Sequence, residues 1–156
     1  MRAAPFAFAA ALLFGGAVPG VRAAEPEPAP TSAPCPAGVP DATRCLTGRD
    51  TAGAFYWIAV PPAWNGVLVL HAHGGPELGE PRAERTAQDL KRWAVMVKAG
   101  YAWAGSTYRQ GGVEVRAAGA DTERLRSIFT SAVGKPRTTI LHGQSWGASV
   151  AAIAAE

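Results

Sequence analysis

Gly143-Gln144-Ser145-Trp146-Gly147 sets a serine in a G-x-S-x-G frame between two segments of opposite character. Thr138 to His142, just before it, is a short run with β-branched residues and reads as a strand. Ala148 to Ala155, just after it, is rich in alanine and reads as a helix. A serine at such a strand–turn–helix junction stands above the sheet edge with its hydroxyl exposed. Glycine on either side removes the Cβ atoms that so sharp a turn cannot hold. The helix that follows starts with N–H groups that have no intrahelical acceptor, aimed at any carbonyl that reaches the serine. The chemistry offered is nucleophilic attack on an acyl carbon. The alternative is an ordinary strand-to-helix turn.

A second motif lies upstream. Val67-Leu68-Val69-Leu70-His71-Ala72 is a continuous apolar run, the pattern of a strand buried on both faces, and it ends in His73-Gly74-Gly75-Pro76. The two motifs together resemble the α/β-hydrolase superfamily, in which an HGG segment follows an early strand and G-x-S-x-G carries the nucleophile. The resemblance covers about residues 42 to 156. It implies Ser145 as nucleophile and an oxyanion hole made by backbone N–H groups: Gly74 or Gly75 on one side, Trp146 on the other. It implies no cofactor. Secreted carboxylic esterases share this layout. Proline iminopeptidases are also similar, with HGGPG and GGSWG, but this chain has Glu77 and Gln144 where they have glycine. Thr107-Tyr108-Arg109-Gln110-Gly111-Gly112 also departs from their DQRG. Ester substrates are therefore expected first, peptide substrates second. A non-catalytic remnant or binding module is the alternative from another class.

In that superfamily the triad runs Ser, then Asp or Glu, then His. Here His71, His73 and His142 all precede Ser145, as do Asp41, Asp50, Asp89 and Asp121; the only acid after it is Glu156. A serine without a base is a poor nucleophile. The expectation is a hydrolase sequence truncated before its triad Asp and His, and inactive alone.

The intervening elements follow the same plan. Thr43–Leu46 and Ala54–Val60 read as antiparallel strands around a turn at residues 48–53. Thr86 reads as a cap for a helix carrying Leu90, Trp93, Ala94 and Val97, closed at Gly100. Tyr101–Ser106 reads as a strand. Asp121 reads as the N-cap of a helix with Leu125, Ile128, Phe129 and Ala132 inward, stopped at Gly134-Lys135-Pro136. The order β-β-β-α-β-α-β-α predicts an α/β fold: the N-terminal portion of an α/β-hydrolase fold, mostly parallel with an antiparallel start, truncated after the nucleophile turn. Phe55, Trp57, Trp93 and Trp103 read as core, and Trp64 as a turn cap.

Met1-Arg2 and the apolar stretch to Val18 read as a secretory signal peptide cleaved near Ala23, so residues 1–23 are assigned to it. Residues 24–41, rich in Pro and Ala, read as an extended, poorly ordered leader, and 42–156 as the partial hydrolase domain. Removing Arg2 and Arg22 leaves 13 basic against 12 acidic groups, which gives no reason to expect nucleic acid. A secreted or periplasmic protein is expected, off the membrane after cleavage, with a small-molecule ester or peptide as its partner. Nothing sets its oligomeric state. Cys35 and Cys45, the only cysteines, are expected to form a disulfide in that compartment. His71-x-His73 offers two rings on one strand face with no third ligand, so no metal is expected. His142 reads as a packed strand-end residue.

Overall fold

The structure is a computed structural model that describes residues 25–110 and 114–156; the expected signal peptide lies outside them. The elements in chain order are β1 (Thr31–Ser32), β2 (Arg44–Arg49), β3 (Phe55–Val60), β4 (Val67–Ala72), α1 (Ala83–Arg92), α2 (Ala94–Lys98), β5 (Ala102–Ser106), α3 (Val115–Ala132), β6 (Thr138–Gly143) and α4 (Trp146–Ala154). One sheet holds all six strands in the order β1-β2-β3-β5-β4-β6.

The expected mostly parallel sheet, the N-terminal portion of an α/β-hydrolase fold, is not what forms. The sheet is mixed. β1–β2, β2–β3 and β3–β5 pair antiparallel; only β4–β5 and β4–β6 pair parallel. The cause is the connections. A parallel pair needs a long crossover, normally a helix, and no helix separates the first four strands. The β2–β3 link is a tight turn, which allows only antiparallel pairing. Helical crossovers begin after β4, and parallel pairing begins with them.

Alternation along the strands divides the core between two faces. Leu46, Tyr56, Ile58, Leu68 and Leu70 pack with Leu125, Ile128 and Phe129 of α3. Cys45, Ala59, Val69 and Trp103 pack with Leu90 and Val97 of α1 and α2. Each large side chain so buried contributes about 1.5–3 kcal/mol. Trp64 donates its indole N–H to Val67 O at 2.7 Å and meets Phe129 edge-on. A third cluster of Ala72, Tyr108, Ala118, Val150 and Ala151 lies where β4 meets the first turns of α4.

Three local expectations are corrected. Asp121 does not start a helix: α3 begins at Val115, and Asp121 sits fully buried within it. Its carboxylate accepts from the Arg109 backbone N–H and Nε, both at 2.8 Å, and from Arg124 Nη1 at 3.1 Å. A buried mid-helix carboxylate is tolerable only with such partners. Thr86 is no cap: α1 begins at Ala83, and the Thr86 hydroxyl donates to Ala83 O at 3.1 Å. The leader is docked, not loose. β1 pairs with β2, and Glu27 accepts from the Thr51 N–H and hydroxyl at 2.8 and 2.6 Å and meets Arg124 at 3.0 Å.

Cys35 and Cys45 are joined, tying the leader to β2. The closed loop spans a sequence separation of 10, worth roughly 2–3 kcal/mol of chain entropy. The Cys35→Ser/Cys45→Ser variant should therefore lose about that much unfolding free energy in urea. An unchanged midpoint would show that β1 and Glu27 already hold the leader.

Candidate active site

The turn between β6 and α4 is built by backbone contact. A Cβ on Gly143 would lie 2.3 Å from Gly147 O, and a Cβ on Gly147 would lie 2.2 Å from Ala72 O and 2.5 Å from His73 O. No real Cβ tolerates such distances, so only glycine lets α4 settle against the end of β4. Between them Ser145 takes φ 53° and ψ −124°, a conformation that costs a non-glycine residue roughly 1–3 kcal/mol. The turn is held by Gln144 N–H to Ala72 O (3.3 Å), Gly147 N–H to Gln144 O (2.8 Å) and Ala148 N–H to Ser145 O (2.9 Å). Ser145 is exposed.

The same contact brings the second motif alongside. A Cβ on Gly74 would lie 3.6 Å from the Ser145 Cβ, and one on Gly75 would lie 3.7 Å from the Trp146 ring. Among the described residues the N–H groups of Gly74, Gly75 and Trp146 have no protein acceptor. Three free backbone donors thus lie around one exposed, strained serine. Such a cluster can receive the charge that develops on a carbonyl oxygen under attack.

The histidines are engaged elsewhere. His73 stacks on Tyr108 at 4.4 Å, with Nδ1 2.6 Å from Gly74 O and Nε2 3.4 Å from Thr107 O. His71 and His142 face each other across the β4–β6 ladder, their Nδ1 atoms 2.9 Å apart, so one ring donates and the other accepts. His71 also lies between Trp103 and His142, with Nε2 3.9 Å from Asp89 Oδ2. Burial, then the neighbouring His142 and His73, push the His71 pKa from 6.5 down to about 3. Burial also lowers that of His142 and raises that of Asp89, the latter against the pull of Arg85. Among the described residues no histidine hydrogen-bonds the Ser145 hydroxyl. Among these described residues no group of three or more His, Cys, Asp or Glu is arranged to hold a metal, and no helix is long and apolar enough to cross a membrane.

Sequence reasoning missed Tyr108 and the paired histidines. Tyr108 gave no signal, being one aromatic residue after a strand. The histidine pair was legible in principle: aligning the ends of two parallel strands sets His71 opposite His142. No protein-family model matches this chain, and neither a curated protein nor a solved structure matches it.

Two outcomes are expected. Gly147→Ala should destabilise the fold by about 1–3 kcal/mol or more through overpacking against Ala72 O and His73 O, measured by urea unfolding; a neutral result would disprove the close contact. Because His71 takes up its proton at lower pH when folded than when unfolded, its contribution is complete above pH 6.5 and is lost as pH falls toward 3. Its imidazole NMR resonances should stay flat from about pH 8 to about pH 5, whereas a midpoint near 6.5 would contradict the buried pair.

Proposed function

We propose that this chain carries the nucleophile and oxyanion hole of a serine hydrolase of the α/β-hydrolase superfamily, acting on carboxylic esters through a Ser145 acyl-enzyme. The observation that carries the reading is the strained Ser145 between Gly143 and Gly147, with the free N–H groups of Gly74, Gly75 and Trp146 beside it. Ser145 Oγ adds to the ester carbonyl carbon. The carbonyl π pair moves to oxygen, and that oxyanion accepts from the Trp146 N–H and from Gly74 or Gly75. Collapse expels the alcohol, which leaves with the proton taken from the hydroxyl by a general base. Water then releases the acid and restores the serine. His71, His73 and His142 are bound to other groups, so none of them is assigned as that base.

Glu77 favours esters over peptides. In an aminopeptidase reading its carboxylate could hold a substrate's amino group, but it is engaged by Arg82 and by Arg85 at 3.3 Å. Those arginines also hold its pKa below the usual carboxylate range. The Cys35–Cys45 disulfide supports an exported protein, since such bonds persist in oxidising compartments.

In a form of the protein that also supplies the general base, a fluorophosphonate should label Ser145, located by peptide mass, and p-nitrophenyl esters should be hydrolysed in preference to aminoacyl anilides. Ser145→Ala should remove the label and lower ester turnover by roughly 10³-fold or more. Turnover undiminished in that variant would defeat the assignment. If that form folds and neither labels nor turns over, a binding module is favoured.

A further inference from the structure

A peptide bond is planar and trans, so the C=O of one residue and the N–H of the next point in opposite directions. Whatever holds the carbonyl of His73 therefore sets where the Gly74 N–H points. That carbonyl accepts a hydrogen bond from the Tyr108 hydroxyl at 3.3 Å. The following peptide is held from a different side: Gly74 O lies 2.6 Å from His73 Nδ1 and 3.4 Å from Arg85 Nη2, and this sets the Gly75 N–H. Glycines at 74 and 75 leave both peptides free to rotate unless something restrains them.

We propose that Tyr108 is a positioning residue that locks the His73–Gly74 peptide with its N–H turned toward the oxyanion site. The proposal rests on the serine-hydrolase reading above and deepens it. Tyr108 is fully buried and is itself firmly placed. Its ring stacks on His73 at 4.4 Å and meets the Trp146 indole edge-on at 5.8 Å, so it touches the residues that flank both proposed donors. Its backbone sits at φ 60°, uncommon for a residue with a bulky side chain. That strain is held by three contacts. The Tyr108 N–H donates to Ser106 Oγ and the Thr107 hydroxyl donates to Tyr108 O, both at 3.0 Å. The next residue, Arg109, is anchored on buried Asp121. Burial raises the pKa of the phenol, so it remains an O–H donor wherever the protein is folded. A phenylalanine would satisfy the stacking; only tyrosine also holds the carbonyl.

Tyr108→Phe separates the two roles. The ring contacts remain, so the melting temperature should change little. In the same form that supplies the general base, the rate constant for fluorophosphonate labelling of Ser145, and kcat for p-nitrophenyl acetate, should fall about 10- to 100-fold with KM unchanged; complete loss of an oxyanion donor costs roughly 10²–10³ in kcat. The ¹³C carbonyl resonance of His73 should shift as its hydrogen bond is lost. Labelling within twofold of wild type overturns the proposal. If wild type and Ser145→Ala are equally unlabelled, the hydrolase reading has failed, and the His73 carbonyl resonance then decides the clamp alone. An unmoved resonance in Tyr108→Phe overturns it.

Discussion

The approach of Gly147 to the carbonyl oxygens of Ala72 and His73 is the contact on which the rest of this site depends. It is backbone against backbone, at a separation that excludes any side chain at that position. Once α4 sits so close to the end of β4, the turn before it must be very tight, and Ser145 takes the strained conformation that the tightness demands. The same approach carries the first turn of α4 to the Gly74–Gly75 segment. Position, strain and the grouping of free N–H donors are three consequences of one steric fact. The strain is affordable because the third cluster, with Val150, Ala151 and Tyr108 around Ala72, holds α4 in place.

Around this contact the protein spends its buried polar groups on fixing loops. Asp121, wholly inside α3, gathers Arg109 and Arg124 and thereby anchors the chain just after β5. Arg124 reaches on to Glu27, whose carboxylate also closes the turn between β2 and β3. A path of charge-assisted bonds thus runs from the leader to the loop that carries Tyr108. Such bonds are roughly twice as strong as neutral ones, and they need their partners in place because a buried, unpaired carboxylate is costly. His71 and His142 solve a related problem differently. Their Nδ1 atoms pair with each other across the β4–β6 ladder in neutral form.

Much of the element plan was legible from residue patterns. Val67–Ala72 announced a fully buried strand, and the span 54–60 and the residues flanking Ser145 were placed correctly, because apolar periodicity and glycine punctuation are local properties. The disulfide was legible too, since a chain with only two cysteines offers each a single partner. The errors were of another kind. Asp121 and Thr86 looked like caps because a cap is inferred from neighbours in sequence, whereas Asp121 answers to Arg109 across space and α1 simply starts earlier. The leader looked loose because its Pro and Ala content conceals a single carboxylate, Glu27, that fits a distant turn.

The sequence by itself determined the strand–turn–helix around Ser145, the HGG segment after β4 and the cysteine pair, since each rests on residues adjacent in the chain or on composition. Only the tertiary structure decided that the sheet is mixed and not mostly parallel, because pairing direction depends on which strands the connections bring together. It alone set Gly74 and Gly75 beside Ser145, His71 against His142, and the Tyr108 hydroxyl on the His73 carbonyl. Those contacts depend on strand register and on how closely backbones can approach, and neither quantity is written in the local pattern of residues.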